Sequence, residues 1–194
     1  MPDETFREIT PSTEQLKALT HPVRVRMLGL LRVDGPATAT SLAQRLGLNS
    51  GATSYHLRQL AQHGFIEDAP DRGTRRERWW RASAGATRTA PVAPGDDAGD
   101  ETLDAYLQAV VTMYAGMLQA AVEERPLLPA PWREVSSFHD WTVRLTPERA
   151  RAVVEELTRL MEATQDEDVD GAETVVLNLN AFPLAGRVEP ADRS

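Results

Sequence analysis

The chain has 194 residues, 41% of them hydrophobic, which is enough for one large or two small domains with a buried core. It contains no cysteine, which excludes disulfides, thiol catalysis, thiolate metal sites and iron–sulfur clusters. The net charge of −8 is uneven: residues 1–88 carry 13 Arg/Lys and 9 Asp/Glu, net +4, and residues 89–194 carry 8 and 20, net −12. The acidic half does not exclude a polyanionic partner, because salt screens its charges beyond about 8 Å.

The sequence shows no membrane or export signal of the usual kinds. No uninterrupted apolar run approaches about 18 residues. The opening Met1-Pro2-Asp3-Glu4 is acidic and polar, unlike a signal peptide. We therefore expect a cytoplasmic protein that does not contact a membrane.

Apolar residues at helical spacing predict three short helices at the start of the chain. They cover residues 12–19, residues 22–33, and a third stretch from Thr40 or Ser41 to Leu46. Pro22 suits the first position of a helix. Gly47 permits the left-handed turn that ends the third helix.

The fourth predicted helix carries the candidate site. Asn49 or Ser50 caps it, and Thr53, Leu57 and Leu60 face the core at positions i, i+4 and i+7. The candidate DNA-binding residues on its other side are Ser50, Gly51, Ser54, Tyr55 and Arg58.

Those residue types suit contact with a duplex. Small residues at a helix start allow close approach to base edges and phosphates. Arg58 can bond a phosphate or a guanine, and Tyr55 can meet a phosphate or a thymine methyl. Taken alone, the same pattern also fits an ordinary amphipathic surface helix.

A basic hairpin follows this helix. Residues 65–68 and 77–82 are predicted strands, and the turn between them carries Arg72, Arg75 and Arg76 near its tip. A basic tip can lie on the DNA backbone or enter the minor groove. The alternative is a hairpin solubilised by its charge.

Two tryptophans mark the second strand of this hairpin. Trp79 and Trp80 are neighbours in sequence, so they point to opposite faces of the sheet. We expect one to pack in the core and the other on a neighbouring helix or subunit.

The second half is predicted to form a separate region. Residues 83–100 are rich in Ala, Gly and Pro, and we place a linker at 89–100, after a DNA-binding domain at 1–88. Residues 101–124 are predicted to form a long helix. Its apolar stripe is Leu103, Tyr106, Leu107, Val110, Met113, Tyr114, Met117, Leu118 and Ala121. Such a stripe is normally buried against another helix, and we expect that helix to belong to a second subunit.

The end of the chain shows a strand–helix–strand pattern. Apolar residues alternate over 141–145 and again over 175–180, and a capped helix begins at Thr146 between them. Together with the long helix, these elements are expected to form an α+β domain over residues 101–194.

Residues 16–81 resemble the winged-helix domain of the ArsR/SmtB-type bacterial regulators. The resemblance is carried by three stretches: Leu19-Thr20-His21-Pro22-Val23-Arg24, Ser41-Leu42-Ala43-Gln44-Arg45-Leu46-Gly47 and the run from Thr53 to Ile66. It implies a winged helix-turn-helix that binds DNA as a homodimer on an inverted repeat. It also implies that the recognition positions are Ser50, Gly51, Ser54, Tyr55 and Arg58.

The chain departs from this family in two respects. Many members sense metals through cysteines on the helix before the recognition helix, but residues 39–43 offer none. His56 and His63 lie two turns apart and cannot chelate one ion alone, so we expect no metal site. The C-terminal region is foreign to short members of the family. It resembles more loosely the domains appended to some actinobacterial regulators.

The sequence therefore predicts an α+β protein with an N-terminal winged helix-turn-helix, a long central dimerisation helix and a small C-terminal strand-helix-strand domain. Its expected partners are double-stranded DNA and a second copy of itself, and an unidentified small-molecule or protein effector is left open. We expect no enzymatic activity and no cofactor. The rival interpretation is a winged-helix protein-interaction module without sequence-specific DNA binding. Basic residues on both the helix and the wing favour DNA.

Overall fold

The computed structural model describes residues 8–70 and 77–188, which form two compact units divided between Ser136 and Ser137. In the first unit the helices are α1 (Thr13–Leu16, continued by a 3-10 turn over Lys17–Leu19), α2 (Pro22–Val33), α3 (Ala39–Leu46), α4 (Ser50–Gln62), α5 (Asp97–Glu124) and α6 (Ala130–Val135). The strands are β1 (Glu8–Ile9), β2 (Ala37–Thr38), β3 (Ile66–Asp68), β4 (Trp79–Ala82) and β5 (Ala86–Thr87). The second unit contains α7 (Pro147–Ala163). The mixed α+β class is confirmed.

Polar side chains and one glycine set the ends of α3 and α4. Ser41 N donates to Thr38 Oγ1 and Thr38 N donates to Ser41 Oγ, both at 3.1 Å, so α3 begins one residue earlier than predicted. Ala52 N donates to Asn49 Oδ1 at 2.8 Å, which confirms the predicted cap of α4. Gly47 has φ +66°, the expected left-handed conformation. These caps define the tight turn between the two helices.

A three-stranded antiparallel sheet closes one side of the first unit, in the order β2-β4-β3. In its central strand Trp80 is 4% exposed and belongs to the core, whereas Trp79 lies half-buried on the other face. The predicted opposition of the two tryptophans is confirmed. β2 was not predicted, because two residues are too few to show alternation.

One face of each of the helices α1 to α5 supplies the core, together with residues of the strands β3 and β4. The innermost side chains, each at most 4% exposed, are Leu19, Met27, Leu28, Leu31, Leu42, Leu57, Leu60, Phe65 and Trp80. Fully burying one such side chain contributes about 1.5–3 kcal/mol. This core therefore fixes α4 against α2 and α3.

The long helix α5 packs on its own chain. Thr102, Tyr106 and Ala109 are buried, and the helix lies against α1 and α2. This corrects the expectation that the stripe at Leu103, Tyr106, Val110 and neighbouring positions faces a second subunit. In the first half of the helix those side chains cover the core of their own unit.

The boundary between the two units does not fall in the expected linker at 89–100, because α5 belongs to the first unit. Asp96 caps α5 by accepting from Gly99 N at 3.0 Å, so the helix begins inside the segment assigned to a linker at 89–100. Because α5 then packs on α1 and α2, it groups with the first unit, which runs to Ser136.

A second apolar stripe on α5 stays uncovered. Leu107, Val111, Leu118 and Val122 are 45–57% exposed. Their separations of three and four residues, counting half-buried Tyr114 between Val111 and Leu118, place them on one side of the helix. This exposed stripe differs from the residues that pack on the core.

By length and composition, the segment Asp97–Leu127 would be able to cross a membrane, with a mean hydropathy of 1.2 over its best window. One side of its first half packs against the core of the first unit. Tyr106 is 9% exposed and Ala109 is 2% exposed against the rest of the first unit.

Arg32 ties the chain that follows the wing to α2. Its Nε donates to the Ala84 carbonyl at 2.9 Å and its Nη2 to Thr87 Oγ1 at 2.8 Å. Burial lowers the pKa of this guanidinium. β5 lies within this tethered segment and pairs in parallel with β1, another pairing that the sequence did not predict.

The second unit confirms its predicted helix but not its predicted strands. Thr146 caps α7, and Pro147 occupies the first turn as expected. The strands expected at 141–145 and 175–180 are wrong, because the described residues 137–188 contain no strand. Alternation predicts one-sided burial, but a strand also needs a hydrogen-bonded neighbour, and neither segment has one here.

Candidate nucleic-acid interface

The helix α4 presents two different faces. Thr53, Leu57 and Leu60 are fully buried, as the sequence predicted. The candidate positions on the other side are exposed, except for half-buried Ser54: Ser50, Gly51, Ser54, Tyr55 and Arg58. Packing of one face therefore leaves all five accessible to a ligand.

Arg58 is the cation of this exposed face. Its Nε donates to the Ser54 carbonyl at 3.1 Å. None of the described acidic side chains pairs with it. Its remaining guanidinium N–H groups are available to a phosphate or a base edge.

A cleft of about 410 Å³ opens beside Arg58. One side is formed by Ser54 and Arg58, and another by Thr38 and Thr40 at the start of α3. These residues offer hydroxyl and guanidinium donors close to a helix N-terminus, where the helix dipole favours negative charge. The cleft therefore has the chemistry of a phosphate-contacting surface.

The base of the wing forms the rest of this cleft, through Glu77, Arg78 and Trp80. Arg78 holds Asp68 with both its Nε and its Nη2, the latter at 2.8 Å, and lies 4.0 Å from the centre of the Trp80 ring. This contact lowers the pKa of the Asp68 carboxyl. Sequence reasoning missed Thr38, Thr40 and Arg78 as lining residues. The Thr-x-x-Ser cap spacing at 38–41 is the signal that marks the start of α3.

The predicted wing arginines Arg72, Arg75 and Arg76 lie outside the described residues. Other arginines of the first half are engaged internally: Arg81 pairs with Glu67 at 2.8 Å, and Arg45 pairs with Asp34 at 2.7 Å. The basic excess of the first half is therefore only partly available to a polyanion.

Two histidines that are distant in sequence meet behind the recognition face. The rings of His21 and His56 lie 4.6 Å apart, centre to centre. His21 Nδ1 accepts from Val23 N at 3.2 Å and so caps α2. His56 Nδ1 is buried without a hydrogen-bond partner among the described residues.

The pKa values of both histidines are lowered. Loss of solvent is the main cause in each case, and the positive charge of Arg24 adds to it. The pair was not foreseen, because it depends on how α4 packs against the start of α2. Among residues 8–70 and 77–188, no three His, Asp or Glu side chains gather in a metal-binding arrangement.

The first comparison with known proteins identifies the domain. A family described as a helix-turn-helix domain matches residues 19–69, the stretch from the start of α2 to the end of β3. No curated protein matches the sequence. The helix-turn-helix match supports a DNA-binding regulator.

Two solved structures are similar at low identity. The apo form of a ZitR mutant from Lactococcus lactis is 15% identical, covers 75% of this chain and 84% of its own, and has a TM-score of 0.33. The transcriptional regulator Tm0710 from Thermotoga maritima is 13% identical, covers 73% of each chain, and has a TM-score of 0.31. At these TM-scores they add no argument to the helix-turn-helix match.

The histidine pair generates a pH prediction. Because the folded-state pKa values of His21 and His56 lie below the ordinary 6.5, the unfolded chain binds more protons in this range. Stability is therefore fully present above that value and declines as the pH falls below it. Protonation of His21 also removes the acceptor that caps α2. We predict that the melting temperature falls between about pH 7 and pH 5.

Variants can show whether the pH dependence of the melting temperature comes from His21 and His56 or from other titrating groups. His21→Asn keeps a capping acceptor without titrating, and combined with His56→Gln it should flatten the dependence of the melting temperature on pH. His139→Asn, in the second unit, should leave the dependence unchanged. An equal slope in the double variant and the unmodified protein would refute the assignment.

Proposed function

We propose that the protein is a cytoplasmic, homodimeric transcriptional regulator that represses by occupying an inverted-repeat operator. The observation that carries the proposal is the exposed face of α4, where Arg58 and Ser54 line one cleft with the start of α3. Ser50, Gly51, Ser54, Tyr55 and Arg58 would contact base edges and nearby phosphates in the major groove.

The wing would add contacts to the backbone. Arg72, Arg75 and Arg76 are the sequence-based candidates for the tip. At its base, Arg78 and Asp68 have side chains that are 59% and 52% exposed, and such exposed pairs contribute only about 0–1 kcal/mol. Arg78 can therefore exchange Asp68 for a phosphate at little cost.

The dimer would form through the exposed stripe of α5, which comprises Leu107, Val111, Leu118 and Val122. A twofold contact between two such helices buries the same apolar stripe from each subunit. It can also set two recognition helices about 34 Å apart, one turn of DNA. Such a dimer would repress transcription if its site overlaps a promoter.

Salt dependence tests the function as a whole. If the dimer neutralises roughly six to ten phosphates, the logarithm of the affinity should fall with log salt at a slope of about −5 to −9. Titration of duplex DNA at several salt concentrations measures this slope. A slope near zero, or no binding to any duplex at low salt, would favour the protein-interaction alternative.

The recognition face and the wing should respond differently to substitution. Ser54→Ala, Tyr55→Ala and Arg58→Ala should weaken the specific site more than random DNA, by about 1–3 kcal/mol for a bidentate Arg58 contact. Arg75→Ala and Arg76→Ala should weaken all duplexes similarly and reduce the salt slope by about one each. Operator and random duplexes, compared by fluorescence anisotropy, distinguish the two patterns.

A matched control exists for Arg58. Arg159 Nε donates to the Glu155 carbonyl at 3.3 Å, the same backbone bond that Arg58 makes on α4. Arg159→Ala should leave both affinities unchanged. Equal losses on specific and random DNA for all three helix variants would show that the recognition helix is misassigned.

The dimer interface predicts a further pair of variants. Val111→Glu with Leu118→Glu should bury unpaired charge and give a monomer by light scattering, with little change in circular dichroism and a large loss of operator affinity. Thr112→Glu with Gln119→Glu adds two charges to exposed polar positions of the same helix and should remain dimeric. A double variant at Val111 and Leu118 that stays dimeric would place the interface elsewhere.

A further inference from the structure

The second unit leaves an apolar segment exposed. Trp141 is 80% exposed, Val143 is 66% exposed and Leu145 is 44% exposed. No ladder of backbone hydrogen bonds joins residues 139–145 to any described part of the chain. The backbone N–H and C=O groups of this segment are therefore open to pairing with another strand.

The two faces of this segment differ. The odd-numbered residues Ser137, His139 and Trp141 line a cavity of about 340 Å³ together with side chains of α7 and residues 176–179 of the same chain. The even-numbered residues Asp140, Thr142 and Arg144 are polar and exposed. Cavity-lining and exposed positions thus alternate along residues 137–142, as they do along a strand with one side toward a helix.

We propose that residues 139–145 pair antiparallel with the same segment of a second copy, with Thr142 on the twofold axis. In this register Asp140 lies opposite the partner's Arg144, and Arg144 lies opposite the partner's Asp140. Trp141 lies opposite the partner's Val143. Opposite charges and aromatic–β-branched pairs are both favourable directly across two strands.

Other registers lose these pairs. Moving the axis to Trp141 or Val143 leaves both charged side chains opposite neutral residues. Moving it by half a residue sets apolar positions opposite polar ones, which would direct the two apolar faces to opposite sides of the ribbon. The axis at Thr142 thus satisfies both the charge pattern and the alternation.

The other extended stretch does not offer this complementarity. Residues 174–186 contain no charged side chain, so nothing in them selects a self-pairing register. The opposite charges of Asp140 and Arg144 therefore favour a second copy of residues 139–145 as the pairing partner. A strand pair packed on two α7 helices also has the helix support that a two-stranded ribbon needs to be stable in water.

The absence of cysteine allows a direct test on the full chain. Thr142→Cys places two thiols directly opposite each other, where opposing Cα atoms lie about 4.5–5.5 Å apart, within disulfide range. Under mild oxidation without DNA, most of this variant should convert to a covalent dimer that reductant dissolves. Ser137→Cys lies five residues from the axis, so its two thiols would be about 34 Å apart, and it should cross-link at least tenfold more slowly.

Charge reversal tests the register. In the Thr142→Cys background, Asp140→Arg should slow cross-linking several-fold, because it sets Arg opposite the partner's Arg144. Adding Arg144→Asp should restore the rate. A double variant as slow as the single one, or equal rates for Thr142→Cys and Ser137→Cys, would overturn the proposal. Equal rates are also the result expected if residues 139–145 pair with 175–180 of their own chain.

This contact adds to the proposed homodimer but is measured independently of it. Cross-linking is followed without DNA, so its failure leaves the salt and recognition-helix experiments unaffected. Cross-linking in the Val111→Glu, Leu118→Glu background shows in turn whether residues 139–145 associate without the α5 stripe. If Thr142→Cys still cross-links faster than Ser137→Cys in that background, the pairing is supported. If the two variants cross-link at equal rates both with and without the α5 substitutions, the pairing is excluded.

Discussion

Burial of one side of α4 is the constraint on which the candidate site depends. Thr53, Leu57 and Leu60 are completely enclosed, whereas Ser50, Tyr55 and Arg58 on the other side of the helix are exposed. The residues on that opposite face are small or polar, so the helix can approach the floor of a DNA groove closely. Thr38 caps the start of α3, while Gly47 and Asn49 form the tight turn between α3 and α4.

Charge alone gives an incomplete description of this protein. The first half is basic, yet Arg45, Arg78 and Arg81 each pair with an acidic side chain, and Arg32 is buried against neutral acceptors. Within the described part of the chain, the only hydrogen-bond partner of the Arg58 side chain is the Ser54 carbonyl. Under the proposed function, affinity would come from a small set of cations on one face of α4.

The exposed apolar surfaces of the chain share one physical cause. The α5 helix covers the core of its own unit with one side and leaves a stripe uncovered with another. The second unit aligns an extended segment on α7 but provides no strand beside it. A single copy buries neither surface. In the proposed homodimer, the same surface of the second copy would cover each of them.

Local patterns were sufficient to predict α2, α4 and α7, the left-handed Gly47 and the opposition of Trp79 and Trp80, because spacing and capping act over a few residues. The exposed face of α4 followed from the same spacing. Tertiary packing decided the rest. It placed the start of α5 on α1 and α2, brought His21 to His56, paired β2 with β4, and tied Arg32 to the segment after the wing. It also left 141–145 and 175–180 unpaired, because alternation specifies which face of a strand is apolar but cannot supply the neighbouring backbone that makes it a sheet.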